Sequence, residues 1–137
     1  MGVQMKVDYE GNLRCNLTHG PSGSTLQTDA PTDNAGRGEA FSPTDLLGAA
    51  LASCALTTMG IKAAKEGIPF PAGSGQVEKT MSSEGPRRVR RLDLAFELPS
   101  SLSAPHRARL EEIALTCPVA LSLSPDIEVK MRFTYAG

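Results

Sequence analysis

Two hydrophobic periods alternate along this chain. Residues 3–8, 12–18 and 24–28 read as short strands, with Gly11 and the run Gly20-Pro21-Ser22-Gly23 marking the turns between them. Residues 29–41 are rich in Gly, Pro, Asn and Asp and form a loop. A helix opens at Ser42-Pro43-Thr44-Asp45: Ser42 can cap, Pro43 suits the first helical position, and Asp45 stands where a capping-box acid reaches back. It runs to about Lys65, ahead of Gly67 and Pro69. Strands are predicted at 74–81 and 88–98; in the second, Leu92, Leu94, Phe96 and Leu98 alternate with Arg91, Asp93, Ala95 and Glu97. Ser103-Ala104-Pro105 starts a second helix, with Leu110, Ile113 and Ala114 on one face. It stops at Thr116-Cys117-Pro118, because the residue before a proline is pushed out of the helical region. Pro118 begins a short third helix through about Leu123, and the last strand, 127–135, alternates Val129, Met131, Phe133 and Tyr135 with Lys130, Arg132 and Thr134. The order βββ-α-ββ-α-α-β predicts a single α+β domain over residues 1–137, with helices packed on antiparallel sheet.

The first helix is the most informative element. Residues 46–61 carry no charge, which is long enough to consider a membrane span. Gly48, Ser53, Thr57, Thr58 and Gly60 dilute the stretch, and no second span or aromatic belt accompanies it. A helix apolar nearly all round is a buried central helix. One sheet and one more helix cover two of its sides, so a partner subunit is expected to cover the rest.

Composition narrows the function classes. Among 137 residues, 14 Lys+Arg balance 15 Asp+Glu for a net charge of -1, without the basic excess of a nucleic-acid binder. Aromatics are 4% and Trp is absent, so base-stacking platforms are poorly supplied. Arg87, Arg88, Arg90 and Arg91 cluster at one strand start and read as a solvated strand end. Residues 1–10 show no apolar signal segment, and a cytoplasmic protein with reduced thiols is expected.

The three cysteines, Cys15, Cys54 and Cys117, are far apart and make no C-x-x-C. With His19 and His106 they lack the paired spacing of a zinc site, and no metal or bound cofactor is expected. Cys117 stands at a predicted helix N-terminus, where free amides and the helix dipole favour a thiolate. Cys54 lies within the central helix, where burial disfavours the charged form, so reactivity there needs a nearby cation or hydrogen-bond donor. Cys15 alternates with Leu13 and Leu17 and reads as a core thiol. One cysteine on the central helix and one at a helix break suggest a thiol pair, provided their Cα atoms lie about 4.4–6.8 Å apart.

The segment SPTDLLGAALASCALTTM (42–59), followed roughly sixty residues later by CPVALSL (117–123), resembles the OsmC-like superfamily of osmotically inducible protein C and the organic hydroperoxide resistance proteins. The turn HGPSG (19–23) and the loop TDAPTDNAGRGEAFSP (28–43) extend the resemblance over nearly the whole chain. It implies an intertwined homodimer with two active sites at the subunit interface. It implies a peroxidatic thiolate at Cys54 and a resolving thiol at Cys117, acting on an organic hydroperoxide and restored by an external dithiol, lipoyl-type or other. In the peroxidase branches an early-strand arginine and a glutamate just after the helix-opening proline support the thiolate. Here Thr44 follows Pro43, and the acid, Asp45, is turned about 100° around the helix. The early-strand arginine has no clear match; Arg37 is the first candidate for the cation, His19 the second, and Glu39 could orient Arg37.

Two function classes therefore stand side by side. One is a thiol peroxidase of oxidative-stress defence. The other is a protein on the same scaffold, without peroxidase activity, that binds a small apolar ligand at the dimer interface.

Overall fold

In the computed structural model, which describes Met1–Gly137, the periods become β1 (Met5–Gly11), β2 (Arg14–His19), β3 (Thr25–Asp29), α1 (Pro43–Glu66), β4 (Ser74–Met81), β5 (Val89–Pro99), α2 (Ala104–Leu115), α3 (Pro118–Ser122) and β6 (Glu128–Ala136). The chain divides into two compact units, Met1–Leu46 and Leu47–Gly137.

The first unit is an antiparallel sheet in the order β1-β2-β3. Asn12 and Leu13 both take positive φ, as a two-residue hairpin twisted to suit its strands requires. Alternation puts Met5, Val7 and Tyr9 on one face, opposite His19, Leu17 and Cys15, and Leu17 and Cys15 opposite Leu26 and Thr28 of β3. That face is apolar, yet Met5, Val7, Tyr9 and Leu26 are exposed. After β3 the loop folds back on itself: the Gly36 and Gly38 amides donate to the Pro31 and Ala30 carbonyls. A Cβ on Gly36 would sit 1.8 Å from the Ala30 carbonyl oxygen, so only glycine fits there. At the start of α1 the Asp45 amide donates to Ser42 Oγ and the Ser42 amide to Asp45 Oδ2, a reciprocal capping box.

The second unit holds the apolar core. Leu51, Ala52, Ala55, Met59 and Ala63 of α1 meet Leu92, Leu94, Phe96 and Leu98 of β5 and Leu110, Ile113 and Ala114 of α2. Phe96 stacks on Phe133 of β6 with ring centroids 5.4 Å apart. Gly48 lets α1 approach the sheet closely: a Cβ there would lie 3.0 Å from Val77 and 3.2 Å from Leu92.

One expectation needs correction. The second sheet is mixed, not antiparallel: β4 pairs antiparallel with β5, but β6 lies parallel to β5. The chain leaves the end of β5, crosses through α2 and α3, and re-enters the sheet beside the start of β5, which is the crossover that parallel strands demand. Within a single chain α1 is buried along one side only. Its buried residues form one stripe, Gly48, Leu51, Ala52, Ala55, Met59 and Ala63, while Ala50, Ser53, Thr57 and Ile61 on the opposite side are exposed. The length and composition of α1 would allow a membrane span, but that stripe packs on the sheet of its own chain.

Candidate active site

In the second unit, α1 carries Cys54 at its midpoint and Cys117 stands just before α3. Pro118 holds Cys117 in extended backbone, φ -67° and ψ 157°, which ends α2 and starts α3 as its first proline requires. The fold brings these two distant residues into one neighbourhood: Cys54 is close enough to add to the rise of the Cys117 pKa. All three cysteines are free thiols.

The two sulfurs differ in environment. Cys117 is 0% exposed, whereas Cys54 is half-buried at the edge of the core. Burial pushes the Cys117 thiol up from its ordinary value; the Ala120 amide pulls against that, and the nearby Cys54 adds to the rise. The thiolate expected of Cys117 from its place at a helix start is thereby corrected. α3 has 5 residues, so its dipole is small, and loss of water outweighs it. Cys54 has a hydroxyl beside it, Thr58 Oγ1 at 3.7 Å. Half-buried Leu56 and Val119 pack against the same core cluster as the thiols. Leu121 is 73% exposed, and its amide bonds to the Cys117 carbonyl.

In the first unit, the candidate cation and its acid lie in one charged cluster. Arg37 and Glu39 approach to 3.8 Å. Glu39 also accepts from Arg14 at 2.9 Å, and Arg14 grips both carboxylate oxygens of Asp29 at 2.7 and 2.8 Å. Asp29 is 1% exposed and also accepts the Glu39 amide. The Arg14 guanidinium holds the Asp29 carboxyl below the usual carboxylate range. Arg14 is thus an arginine on an early strand that sequence reasoning passed over. The signal for it was the register: a meander turning at Gly11 and Gly20–Gly23 places Arg14 opposite Asp29.

The other candidates are tied locally. His19, at the exposed end of β2, faces Ser22 Oγ at 2.6 Å across the turn. Asp45 closes the capping box of α1. Cys15 is half-buried, between Tyr9 and Thr28 on the apolar face of its sheet.

The family model described as OsmC-like protein matches residues 36–132. Among solved structures, a candidate osmotic-stress-induced and detoxification response protein from Psychrobacter arcticus shares 43% identity, with 97% of each chain covered and a TM-score of 0.89. An organic hydroperoxide resistance protein OsmC from Legionella pneumophila shares the fold at 18% identity and TM-score 0.78, over 98% of this chain and 97% of that one. An OsmC-like protein from Mycoplasma pneumoniae does so at 17% identity and TM-score 0.82, over 100% and 99%. No match is found among curated proteins.

Proposed function

The chain belongs to the OsmC-like protein family, and from that premise we propose that it is a thiol peroxidase that reduces organic hydroperoxides through Cys54 and Cys117, in defence against oxidative stress. The observation that carries this reading is the meeting of two free thiols of unequal exposure in the second unit. The half-exposed Cys54 is the one a peroxide can reach. The buried Cys117 stays protonated beside it, the state a resolving thiol needs until it is called on.

The chemistry then runs in three balanced steps. The Cys54 thiolate attacks the outer oxygen of ROOH, the O–O bond breaks, and RO⁻ leaves to take up a proton as ROH. Cys54 becomes a sulfenic acid. The Cys117 sulfur attacks that sulfenic sulfur, a disulfide forms, and water departs with the Cys117 proton. An external dithiol, lipoyl-type or other, then exchanges through a mixed disulfide and leaves both thiols reduced. Val119 and Leu121, on the short helix that Cys117 opens, are the apolar residues we assign to the wall that would favour organic over hydrogen peroxide.

Arg37 is the cation we assign to the thiolate, because Arg14 is committed to Asp29 and Glu39 while Arg37, 44% exposed, touches Glu39 only loosely. The functional unit is a homodimer. Two surfaces support this: the exposed stripe of α1 and the apolar face of β1–β3, both uncovered in a single chain. The family is soluble, and the protein acts in the cytoplasm.

The test is consumption of an alkyl hydroperoxide by a dithiol. Cys54→Ser should reduce turnover to the uncatalysed background. Cys117→Ser should consume one equivalent of peroxide and stop at the sulfenic acid. Unchanged turnover in Cys54→Ser overturns the redox reading and leaves the scaffold as a binder of a small apolar ligand.

A further inference from the structure

Cys54 and Thr58 are four residues apart on α1, so helix geometry sets both side chains on one face. Both are half-buried, and Thr58 Oγ1 lies 3.7 Å from Cys54 Sγ. While Cys54 is a neutral thiol, either atom can be the donor. Once it is a thiolate, the sulfur can only accept and the hydroxyl must donate. The contact then becomes a charge-assisted hydrogen bond, about twice as strong as a neutral one. The single hydroxyl proton of a helical threonine can also go to the carbonyl one turn back, but a thiolate is the stronger acceptor and draws it.

The titratable group facing the same sulfur is the Cys117 thiol, which burial keeps protonated. It too can only donate to a Cys54 thiolate. The charge on Cys54 is therefore met by neutral donors within its own unit, before any cation is added. We propose that Thr58 is the hydrogen-bond donor to the Cys54 sulfur whenever that sulfur carries charge, a role set by one turn of α1. Its use in catalysis rests on the peroxidase reading, whereas the bond itself can be tested without peroxide.

The experiment is alkylation of Cys54 by iodoacetamide in the full-length protein, followed across pH by mass spectrometry of the Cys54 peptide, with circular dichroism as the folding control. Thr58→Val keeps the shape and removes the donor. It should move the alkylation midpoint up by about one pH unit, and Thr58→Ser should restore it. An unmoved midpoint in Thr58→Val, or the same displacement in Thr58→Ser, overturns the proposal. If Thr58→Val moves the midpoint while the wild-type protein turns over no hydroperoxide, the hydrogen bond stands and the peroxidase reading falls.

Discussion

The two units of this chain are held by different forces. Every buried apolar side chain lies in Leu47–Gly137, whereas the buried residues of Met1–Leu46 are Thr28, Asp29 and Ser42. The second unit is thus an ordinary hydrophobic core: a helix stripe, a strand of alternating leucines and a second helix. The first is a thin sheet with one apolar face open, its loop fastened by Arg14, Asp29 and Glu39. A three-stranded sheet needs its apolar face covered to be stable. A unit that buries polar groups and exposes Val7, Tyr9 and Leu26 is one whose apolar partner is still to come. The difference separates what this chain does alone, fold its thiol-bearing half, from what it does in the proposed dimer.

The largest expected effect is in the core. Leu92 of β5 is fully buried in the core cluster, and Leu92→Ala should cost about 3 kcal/mol in denaturant unfolding. Val7, 60% exposed, should cost less than about 1 kcal/mol as Val7→Ala when measured at protein concentrations where the chain is monomeric. Equal costs at the two positions would erase the contrast between the units.

Next in size is the open face itself. Leu26→Asp puts a charge at the β3 end of the apolar row formed by Val7, Leu17 and Leu26. In sedimentation it should raise the dimer dissociation constant at least about tenfold, since burying an unpaired charge costs more than about 1.4 kcal/mol. The melting temperature of the wild type should rise with protein concentration and that of the variant should not. A wild type that sediments as a monomer at micromolar concentration would remove the dimer from this account.

Much of the fold was legible because each element announces itself locally. Ser42-Pro43, Ser103-Pro105 and Cys117-Pro118 mark helix starts by rules that need no distant partner. The alternation Leu92 to Leu98 marks a strand by itself. What periodicity does not encode is which strands pair and in what direction, so the parallel β5–β6 register came only with the fold. The same holds for the site. The Cys54 and Cys117 motifs could be read as a pair, but the raised Cys117 thiol depends on how completely the core closes over it. Arg14 and Asp29 are legible only once the meander is in register. Thr58 needed nothing more than the i to i+4 spacing from Cys54 and was passed over as one polar residue diluting an apolar helix.

The charged cluster gives a smaller, pH-dependent effect. Folded Asp29 titrates below its unfolded value because Arg14 binds its carboxylate. The pair therefore contributes stability above about pH 4, the unfolded carboxylate value, and that contribution is lost as pH falls through the lower folded value. The Glu39 amide, which donates to Asp29, should lose its hydrogen-exchange protection over that acid range while amides of β5 keep theirs. Asp29→Asn should open the same loop at neutral pH. Simultaneous loss of protection in both units on acidification would show that the first has no separate polar fastening.

The smallest effect tests the contrast from the other side, by removing a polar contact from the apolar unit. Ser103 Oγ accepts the His106 amide at 3.3 Å and caps α2. Ser103→Ala should cost about 1 kcal/mol, with α2 still formed, because Leu110, Ile113 and Ala114 hold the helix on the sheet whether or not its first turn frays. Cys117 follows α2 directly, so its alkylation by iodoacetamide in the folded protein should stay as slow in Ser103→Ala as in the wild type. Were the loss of this one cap to expose Cys117, the second unit too would depend on its polar contacts, and the burial that keeps the resolving thiol protonated would come from the cap as much as from the core.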